Sequence, residues 1–439
     1  MKVLVIGAAR SGIAIAKYLN KRNHEVYLTD AKVIPEREEL INEGILVFDG
    51  GHPEQLKEID YDMIIKNPGI KYSVPFVKYF SDKGYTMYNE MDVCLHDQPQ
   101  HRYRAITGTN GKTTATTMLG EMLKLLNPDN GYCGNIGIPV ADVIEGHEND
   151  RLQLAIEVGA FQLLGLKYFH PFVSVIMNMT TDHVDYFGTE DAYYRSKILV
   201  YENQGPEDYF LRNVDDNNVL KYVHDVPCQV IDFSLVRDDV DLCIRDRKVY
   251  YHDVRLFDLD SFPLPGMHNV QNAMVAGCMA YLMGVKPEDI SNFMDHFPGV
   301  EHRIEFVAEI NGVRYYNDSK GTNVDSTIMA LKAFDRPVHL LAGGYDKKTG
   351  YAGLKDYMGN VRQIYAYGDT RYQLLDLGVK AVLYDDLANA LAAASRNARS
   401  GEVVLLSPAS ASWDQYPDFE VRGRQFKRMV QEIRKKNEQ

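Results

Sequence analysis

The chain has 439 residues, of which 45% are hydrophobic and 25% charged, and its formal net charge at pH 7 is -13. This is an ordinary globular composition, and at about 150 residues per domain it predicts roughly three domains. The acidic balance argues against extensive nucleic-acid binding. The sequence contains no run of about 18 apolar residues, the length that a membrane-spanning helix needs. The five cysteines are scattered and lack C-x-x-C spacing, so we expect reduced thiols and a cytoplasmic protein.

The first part of the chain alternates short apolar strands with helical patterns. Its strands are "KVLVIG", "EVYLTD", "ILVFDG", "YDMIIKNPGI" and "TMYNE", and this alternation predicts βαβ units with a parallel sheet. The turn "GAARSG" (7–12) is a partial dinucleotide fingerprint with Ala9 at its second glycine position, and Asp30 ends the next strand. The turn fits a nucleoside diphosphate better than NAD, and a tight turn that binds no ligand fits the sequence nearly as well.

A second module begins with the strand "YRAITG", the loop "TGTNGKTT" and a helix that we expect to open at Thr113 or Thr114. The loop ends like a P-loop, but Ile106 stands where the usual first glycine belongs. Small residues between a strand and a helix let backbone amides face a phosphate. In such a loop Lys112 would reach the β- and γ-phosphates and Thr113 would offer a hydroxyl to Mg²⁺. Nucleotide binding is therefore favoured over a turn that is merely rich in glycine and threonine.

Further candidate ligands follow the next strands of this module. Glu157 ends the strand "LQLAI", and His183 follows the strand "VSVIMNM". Ligands of parallel sheets lie at these carboxyl ends, and carboxylate and hydroxyl oxygens suit Mg²⁺. A histidine at this place is as compatible with packing as with metal binding. Lys197 lies in the helical segment "DAYYRSKILVY" and, on the sequence alone, is an ordinary solvated lysine.

Short β-strands are expected from about 208 to 260, followed by the helix "PGMHNVQNAMVAGCMAYLMGV" and a linker, "FPGVEHRIEF". The last module alternates again, with the strands "VHLLAGG", "QIYAYG", "KAVLYD" and "EVVLLSP". Two polar loops follow strands there, one with Asp318 and Lys320 and one with Ser410 and Ser412. Each loop alone can be a helix cap, but both fall at the same sheet edge, so together they can line a pocket.

Taken in order, these motifs resemble those of the Mur ligases, the ATP-dependent amide ligases of peptidoglycan precursor synthesis. The resemblance covers essentially the whole chain. It rests on "TGTNGKTT", "EVGAFQL", "NMTTDHVDYF", "YRSKILVYEN", "PGMHNVQNA", "EHR", "YNDSKGTN", "AGGYDKK" and "LSPASASWDQYPDFEVRG". Within the family the chain is most similar to the members that add D-glutamate to UDP-N-acetylmuramoyl-L-alanine. The loop "TGTNGKTT" resembles the family's own P-loop, in which the first glycine is not expected.

The resemblance implies three α/β domains, each with a mostly parallel sheet flanked by helices. We expect a Rossmann-like domain for the UDP substrate over 1–97, a P-loop ATPase-like domain over 98–299, and a Rossmann-like domain for the amino acid over 300–439. ATP, Mg²⁺ and a Lys197 carbamylated by CO₂ are the implied cofactors. A cytoplasmic monomer is expected, without nucleic-acid or membrane partners.

The resemblance also implies a role for individual residues. Catalysis is assigned to Lys112, Glu157, His183 and Lys197, and the metal to Thr113, Glu157, His183 and Lys197. ATP is assigned to Gly108, Thr109, Asn110, Gly111, Lys112, Thr113, Thr114, Asn269, Asn272, Arg303 and Asp318. The UDP substrate is assigned to Asp30, Asn67, Pro68, Gly69, Asn135 and Gln162. D-glutamate is assigned to Lys320, Thr322, Lys347, Ser412 and Phe419.

Other classes of protein remain possible at this stage. A sensor of UDP-sugars would bind nucleotide without forming ADP, and an NAD-linked oxidoreductase would transfer hydride. The P-loop and the missing second glycine of "GAARSG" disfavour both. A sister ligase and a folylpolyglutamate synthase are nearer rivals, and they differ in the amino acid and the acceptor that they use.

Overall fold

The computed structural model describes residues 1–346 and 350–438. The described chain forms two compact units. The first contains Met1–Ser261 and Gln271–Asp295, and the second contains Phe262–Val270 and the chain from His296 onward. Two of the three large sheets lie in the first unit and one lies in the second. The α/β class with three mostly parallel sheets is confirmed, whereas the domain boundaries given above stay a prediction.

The first sheet is built from alternating strands and helices. The elements are β1 (Lys2–Ile6), α1 (Arg10–Lys21), β2 (Glu25–Thr29), α2 (Arg37–Asn42), β3 (Leu46–Phe48), β4 (Met63–Lys66), α3 (Pro75–Asp82), β5 (Met87–Tyr88) and α4 (Glu90–Asp97). All neighbouring strands are parallel, in the order β3-β2-β1-β4-β5. Four of the five residues of β1 are buried because helices cover both faces. The strand order reverses between β1 and β4, which is where such sheets bind ligands.

The second sheet has nine strands. Its elements are β6 (Arg102–Thr107), α5 (Lys112–Leu123), β7 (Gly131–Gly134), α6 (Val140–Ile144), β8 (Gln153–Glu157), α7 (Ala160–Leu163), β9 (Val173–Ile176), α8 (Val184–Phe187), α9 (Glu190–Ile198), β10 (Tyr209–Asn213), α10 (Asn217–Tyr222), β11 (Gln229–Phe233), β12 (Leu242–Arg245), β13 (Lys248–Tyr251), β14 (Val254–Asp258), α11 (Met267–Tyr281) and α12 (Pro287–His296). The strand order is β14-β13-β12-β11-β10-β9-β6-β8-β7. The pairings from β7 to β12 are parallel, and β12, β13 and β14 form an antiparallel edge. The short strands expected near 208–260 are therefore present.

The third sheet belongs to the second unit. Its elements are β15 (Glu305–Ile310), β16 (Val313–Asn317), α13 (Val324–Lys332), β17 (Val338–Gly343), β18 (Val361–Tyr367), β19 (Ala381–Leu383), α14 (Leu387–Asn397), β20 (Val403–Leu406) and α15 (Phe419–Glu438). The strand order is β15-β16-β20-β17-β18-β19. Because β16 and β20 are parallel neighbours, the polar loops that follow them lie side by side, as the sequence predicted.

Two local predictions were wrong. The expected linker "FPGVEHRIEF" ends inside a strand, because Glu305 opens β15 and pairs antiparallel with β16. Asn311 and Gly312, both with positive φ, form the hairpin turn between these strands, and Asn-Gly is a strong signal for such a turn. The helix after the P-loop begins at Lys112, one residue before the earlier of the two expected starts.

Candidate active site

The P-loop lies at the carboxyl end of β6, the strand between β8 and β9. Gly108 and Gly111 have φ values of 139° and 85°, a region that glycine occupies without strain. A side chain at position 111 would also collide with the Oδ1 atom of Asn272. Asn272 therefore lies directly against the start of α5, beside residues 108–114. The Thr114 Oγ1 atom is buried there without a hydrogen-bond partner.

Asn178, at the end of the neighbouring β9 strand, fixes the shape of this loop. Its Oδ1 atom accepts hydrogen bonds from the backbone amides of Thr109 and Asn110, at 3.1 and 2.8 Å. Lys112 Nζ donates to the carbonyl oxygens of Gly108 and Thr109, at 2.9 Å each. Asn178 was not among the predicted site residues, although it lies within the motif "NMTTDHVDYF".

Glu157 ends β8 and has a side chain suited to a metal ion. It is buried, and its Oε1 atom accepts a hydrogen bond of 2.8 Å from Asn135 Nδ2. Its Oε2 atom is also buried but has no hydrogen-bond partner. A buried carboxylate oxygen without a donor is costly unless a cation or donor reaches it. The residue types at this edge, a carboxylate and threonine hydroxyls, therefore fit Mg²⁺.

Lys197 is not the solvated helix lysine that its sequence context indicates. Its side chain is only 1% exposed, and its Nζ atom lies 4.3 Å from the ring centroid of Tyr193. No hydrogen bond or ion pair joins Nζ to another residue in the part of the chain that the structure describes. Burial and the nearby positive charge of Lys112 hold the pKa of Lys197 well below its usual range, and Asp182 opposes this weakly. The environment therefore favours a neutral amine.

His183 lies at the same edge of the sheet. Its backbone is left-handed, with a φ of 51°, and its side chain is 44% exposed, so the imidazole can reach a ligand. The ring packs edge-on against Phe161 at 4.7 Å and lies 6.0 Å from the ring of Tyr193. The sequence left packing and metal binding open for His183, and the geometry leaves the ring accessible for the second role. Tyr193 lies near both His183 and Lys197, and it was not among the predicted site residues.

A cavity of about 360 Å³ opens beside this edge, within the first unit. It is lined by Ala9, Arg10, Ser11, Asn67, Pro68, Gly69, Glu90, Gly134, Asn135, Gly137, Pro139, Phe161 and Gln162. Five of the six residues assigned to the UDP substrate are in this list. They come from the switch point of the first sheet and from the ends of β7 and α7 in the second. The cavity thus brings together residues far apart in sequence.

The sixth residue, Asp30, does not line the cavity. Its carboxylate accepts hydrogen bonds from the backbone amides of Ala8 and Lys32, at 2.7 and 2.8 Å, so in this structure it shapes the turn after β1. The loop 67–70 is organised by Lys66, which was not among the predicted site residues. Its buried Nζ donates to the carbonyls of Asn67, at 3.1 Å, and Ile70, at 2.7 Å, and burial lowers its pKa to about 8.

In the second unit, Asp318 ends up fully enclosed after β16. Its Oδ2 atom accepts a hydrogen bond of 2.7 Å from Ser407 Oγ, and burial raises its pKa to about 7. Arg303 is close enough to oppose that shift, and its Nε atom is buried without a hydrogen-bond partner. Arg303 also helps burial to lower the pKa of His268 to about 4. Arg303 and Asp318 therefore lie close to each other. The side-chain amide of Asn269 donates a hydrogen bond of 2.8 Å to the Pro265 carbonyl.

Arg422 holds together the two loops assigned to D-glutamate. It is fully buried, and it donates to Ser319 Oγ at 3.0 Å, to the Ser319 carbonyl at 2.9 Å and to the Ala411 carbonyl at 3.2 Å. The sequence around Arg422 gave no indication of this role, since an arginine near the start of a helix, here α15, is usually a surface residue.

The residues assigned to D-glutamate lie around that junction. Lys320 Nζ lies 5.6 Å from the ring centroid of Phe419, and Thr322 donates its amide to the Lys320 carbonyl at 2.9 Å. Ser412 is buried in the neighbouring loop. Lys347 is outside the described residues. The geometry thus groups four of the five residues in one part of the second unit.

Three family models match successive parts of the chain. They are the Mur ligase MurD-like N-terminal domain over residues 1–89, the Mur ligase middle domain over 106–280, and the Mur ligase glutamate ligase domain over 302–410. None of the described helices is both long and apolar enough to cross a bilayer. The three matched ranges correspond, in chain order, to the three sheets described above.

Similar proteins agree with these matches over nearly their full length. A UDP-N-acetylmuramoylalanine–D-glutamate ligase of Geobacillus sp. (strain WCH70) is 37% identical, covering 96% of this chain and 95% of that protein. One of Macrococcus caseolyticus is 35% identical, with 97% and 96% covered. The crystal structure of a UDP-N-acetylmuramate–alanine ligase from Thermotoga maritima shares the fold, with a TM-score of 0.61 at 16% identity and 99% and 100% coverage. The chain belongs to the Mur ligase family, and it is a ligase enzyme.

Proposed function

We propose that this chain is the ATP-dependent ligase that joins D-glutamate to UDP-N-acetylmuramoyl-L-alanine in peptidoglycan precursor synthesis. The single observation that carries the proposal is the composition of one edge of the first unit. There, the P-loop, the buried Glu157 and the cavity lined by residues 67–69, Asn135 and Gln162 adjoin one another. The names of the relatives that match over nearly their full length indicate that the amino acid is D-glutamate.

The first chemical step activates the alanyl carboxylate. One carboxylate oxygen attacks the γ-phosphorus of ATP, the bond to the bridging oxygen of ADP breaks, and an acyl phosphate forms. Two anions meet in this step, so cations must stabilise the charge. Lys112 would supply this charge by exchanging the loop carbonyls of Gly108 and Thr109, to which it now donates, for phosphate oxygens. Asn272 and Thr114, beside the same helix start, are proposed to contact the nucleotide.

Thr113, Glu157, His183 and Lys197 are the residues that we propose hold Mg²⁺. A bound Mg²⁺ supplies positive charge to the phosphate oxygens. The unpartnered Oε2 atom of Glu157 supports this assignment. Lys197 enters the set only after modification, because an ammonium group repels a metal.

We propose that Lys197 is carbamylated. The neutral amine attacks the carbon of CO₂, a nitrogen–carbon bond forms, and one proton is lost to solvent to leave a carbamate anion. Burial and the charge of Lys112 favour the neutral amine that this reaction needs. The product also brings a negative charge near the positive charge of Lys112. Tyr193, whose ring lies 4.3 Å from Nζ, would position the modified side chain.

The second step forms the amide. The neutral amine of D-glutamate attacks the acyl carbon, a tetrahedral intermediate forms, and phosphate leaves. We propose that Lys320, Thr322, Lys347, Ser412 and Phe419 bind the amino acid, and that Arg303 and Asp318 contact ATP. Arg422 acts on the amino-acid residues only through the two loops that it joins. A base must accept the amine proton, and His183 and a nearby carboxylate are both candidates.

The reaction uses nucleotides, and all five cysteines are unpaired thiols, so we place the enzyme in the cytoplasm. The monomeric state expected from the sequence stays a prediction, as does Asp30 as a contact of the uridine end.

An isotope experiment tests the activation step. UDP-N-acetylmuramoyl-L-alanine carrying ¹⁸O in its carboxylate is incubated with ATP, Mg²⁺ and D-glutamate. We expect a product heavier by one glutamyl residue and one ¹⁸O atom transferred to inorganic phosphate. Product that forms without ¹⁸O in phosphate would contradict the acyl phosphate, and absence of the product would contradict the function itself.

A further inference from the structure

A second cavity lies at the opposite edge of the second sheet. Its volume is about 310 Å³, and it is lined by Arg102, Arg151, Gln153, Phe172, Leu282 and Met283. Arg102 and Gln153 are the first residues of β6 and β8, and Phe172 precedes β9. The cavity is therefore at the amino ends of the strands whose carboxyl ends carry the P-loop and Glu157. At about 3.3 Å per residue, β6 separates the two edges by roughly 17 Å.

A buried arginine lies beside this cavity. Arg104 is 0% exposed and lies two residues after Arg102 in β6, on the same face of the sheet. Its Nη1 atom donates to the Arg102 carbonyl at 3.1 Å and its Nη2 atom to Gln153 Oε1 at 2.9 Å. Its Nε atom is buried without a hydrogen-bond partner. Both groups that bind Arg104 belong to residues that line the cavity.

The three guanidinium groups have no acidic partner in the described part of the chain. Neither Arg102, Arg104 nor Arg151 takes part in an ion pair there. Arg102 instead lies over the ring of Phe172, with Cζ 5.2 Å from the centroid. Asp150, next to Arg151, is bonded to His147 at 2.7 Å. Arg102 and Arg151 are exposed, but for the buried Arg104 this is unusual, because buried charges are normally paired.

An arginine cannot avoid the cost of an unpaired buried charge by losing a proton. Burial and the charge of Arg102 both disfavour the charged form of Arg104, and an anion is the group that would offset them. Guanidinium groups bind phosphate oxygens through paired, charge-assisted hydrogen bonds. Phe172, Leu282 and Met283 supply an apolar wall next to these donors.

We propose that this cavity is a binding site for a small phosphate-bearing molecule whose phosphate contacts Arg102 and Arg151 and whose apolar part packs on Phe172. The site is separate from the ligase reaction and does not depend on its assignment. An occupant would bind against β6, the strand that leads into the P-loop.

Phenyl phosphate is a suitable probe, with methyl phosphate as its partner of equal charge. Binding is measured by calorimetry on the full chain carrying Lys112→Ala, so that the P-loop contributes little. We expect one site for phenyl phosphate and weaker binding of methyl phosphate. Arg102→Gln with Arg151→Gln should weaken phenyl phosphate binding by roughly tenfold for each guanidinium removed.

The matched control removes two other exposed arginines, Arg237 and Arg247, whose partners are Asp239 and Asp260. Arg237→Gln with Arg247→Gln makes the same change in net charge and should leave binding unchanged. Equal weakening by both pairs would overturn the site, as would no binding of phenyl phosphate at millimolar concentration. Methyl phosphate binding as tightly as phenyl phosphate would overturn the apolar contact.

A single substitution protects the test against misfolding. The side chain of Arg151 is exposed and makes no hydrogen bond to the described residues, so Arg151→Gln should melt at the temperature of the parent. It should still bind phenyl phosphate roughly tenfold more weakly. Unchanged affinity in this folded variant would also overturn the proposal.

Discussion

Lys197 and Arg104 are two buried cations near opposite edges of the second sheet, and they differ in what burial does to them. Lys197 is 1% exposed and Arg104 is 0% exposed, and burial lowers the pKa of each well below its usual range. A buried lysine can respond by losing its proton, and the neutral amine that results is a nucleophile. An arginine keeps its charge and continues to require an anion.

The comparison shows that burial alone does not specify a function. The same desolvation favours a chemical modification at one edge and ligand binding at the other, because the two side chains have different proton chemistry. Their neighbours agree with this difference. Lys197 lies near Lys112, Asp182 and an aromatic ring, whereas Arg104 lies near a second arginine and an open cavity.

The largest effect should come from the P-loop lysine at the catalytic edge. Lys112→Ala removes the charge proposed to stabilise the transferred phosphoryl group, and we expect ADP formation to fall on the order of 10³-fold or more. Lys124→Ala, just after the other end of α5, removes a half-buried lysine that pairs with Glu121 and lies over the Tyr132 ring, and it is the control. Near-normal turnover of Lys112→Ala would contradict the P-loop assignment.

Substitution of the buried Lys197 tests the chemical modification proposed for the edge of the second sheet that carries the P-loop. Lys197→Ala should lower turnover on the order of 10²-fold or more, and acetate or formate should restore part of it by replacing the carbamate. Lys197→Arg keeps a positive charge but cannot form a carbamate, so it should be inactive and resist rescue. Full activity of Lys197→Ala, without any carboxylic acid, would show that this lysine is only structural.

Glu90, a buried acid of the first unit, should make the stability of the chain depend on pH. Burial raises the pKa of Glu90 from 4.5 to about 7, so the folded chain binds more protons than the unfolded chain between these values. The free energy of unfolding should therefore fall as the pH rises through this window, by up to about 1.4 kcal/mol per pH unit, and level off above it.

Glu90→Gln keeps an acceptor for the Ala141 amide, which bonds to Glu90 Oε1 at 2.7 Å, and it should remove this fall. Urea unfolding of both proteins at pH 5 and pH 7.5 measures the difference. Parallel losses of stability in the two proteins would show that Glu90 is ionised at both pH values.

The smallest effect is expected for Arg104→Met in the absence of any anion. A buried charge without a partner is often replaced by an apolar side chain at little cost, so the melting temperature should change by no more than about 2–4 °C, the shift that roughly 1 kcal/mol gives in a large unit. Phenyl phosphate should stabilise the parent against heat more than this variant, in which the Arg102 carbonyl and Gln153 lose the hydrogen bonds of Arg104. A much larger loss would mean that Arg104 chiefly stabilises the strand ends.

The alternating strands and helices were predictable because both the period of the apolar residues and the turn residues are local properties. The P-loop, Glu157 and the two polar loops of the second unit could be placed for the same reason, since each follows a strand. The turn at Asn311 and Gly312 carried a local signal that was missed.

The burial of individual charged residues could not be predicted. Lys197, Lys66, Arg104 and Arg422 have sequence surroundings that would suit exposed side chains. Their burial depends on elements that the fold brings from far along the chain, such as Ala411 against Arg422. The Mur ligase resemblance singled out Lys197 but gave no indication of Arg104.

The most direct test of the ligase assignment is ADP release with UDP-N-acetylmuramoyl-L-alanine, Mg²⁺ and ATP, comparing D-glutamate with L-glutamate, L-lysine and folate acceptors. ADP that appears only with D-glutamate is the predicted result. ADP that appears with another amino acid or acceptor instead would contradict the proposed specificity, and no ADP with any of them would contradict the proposed ligase reaction.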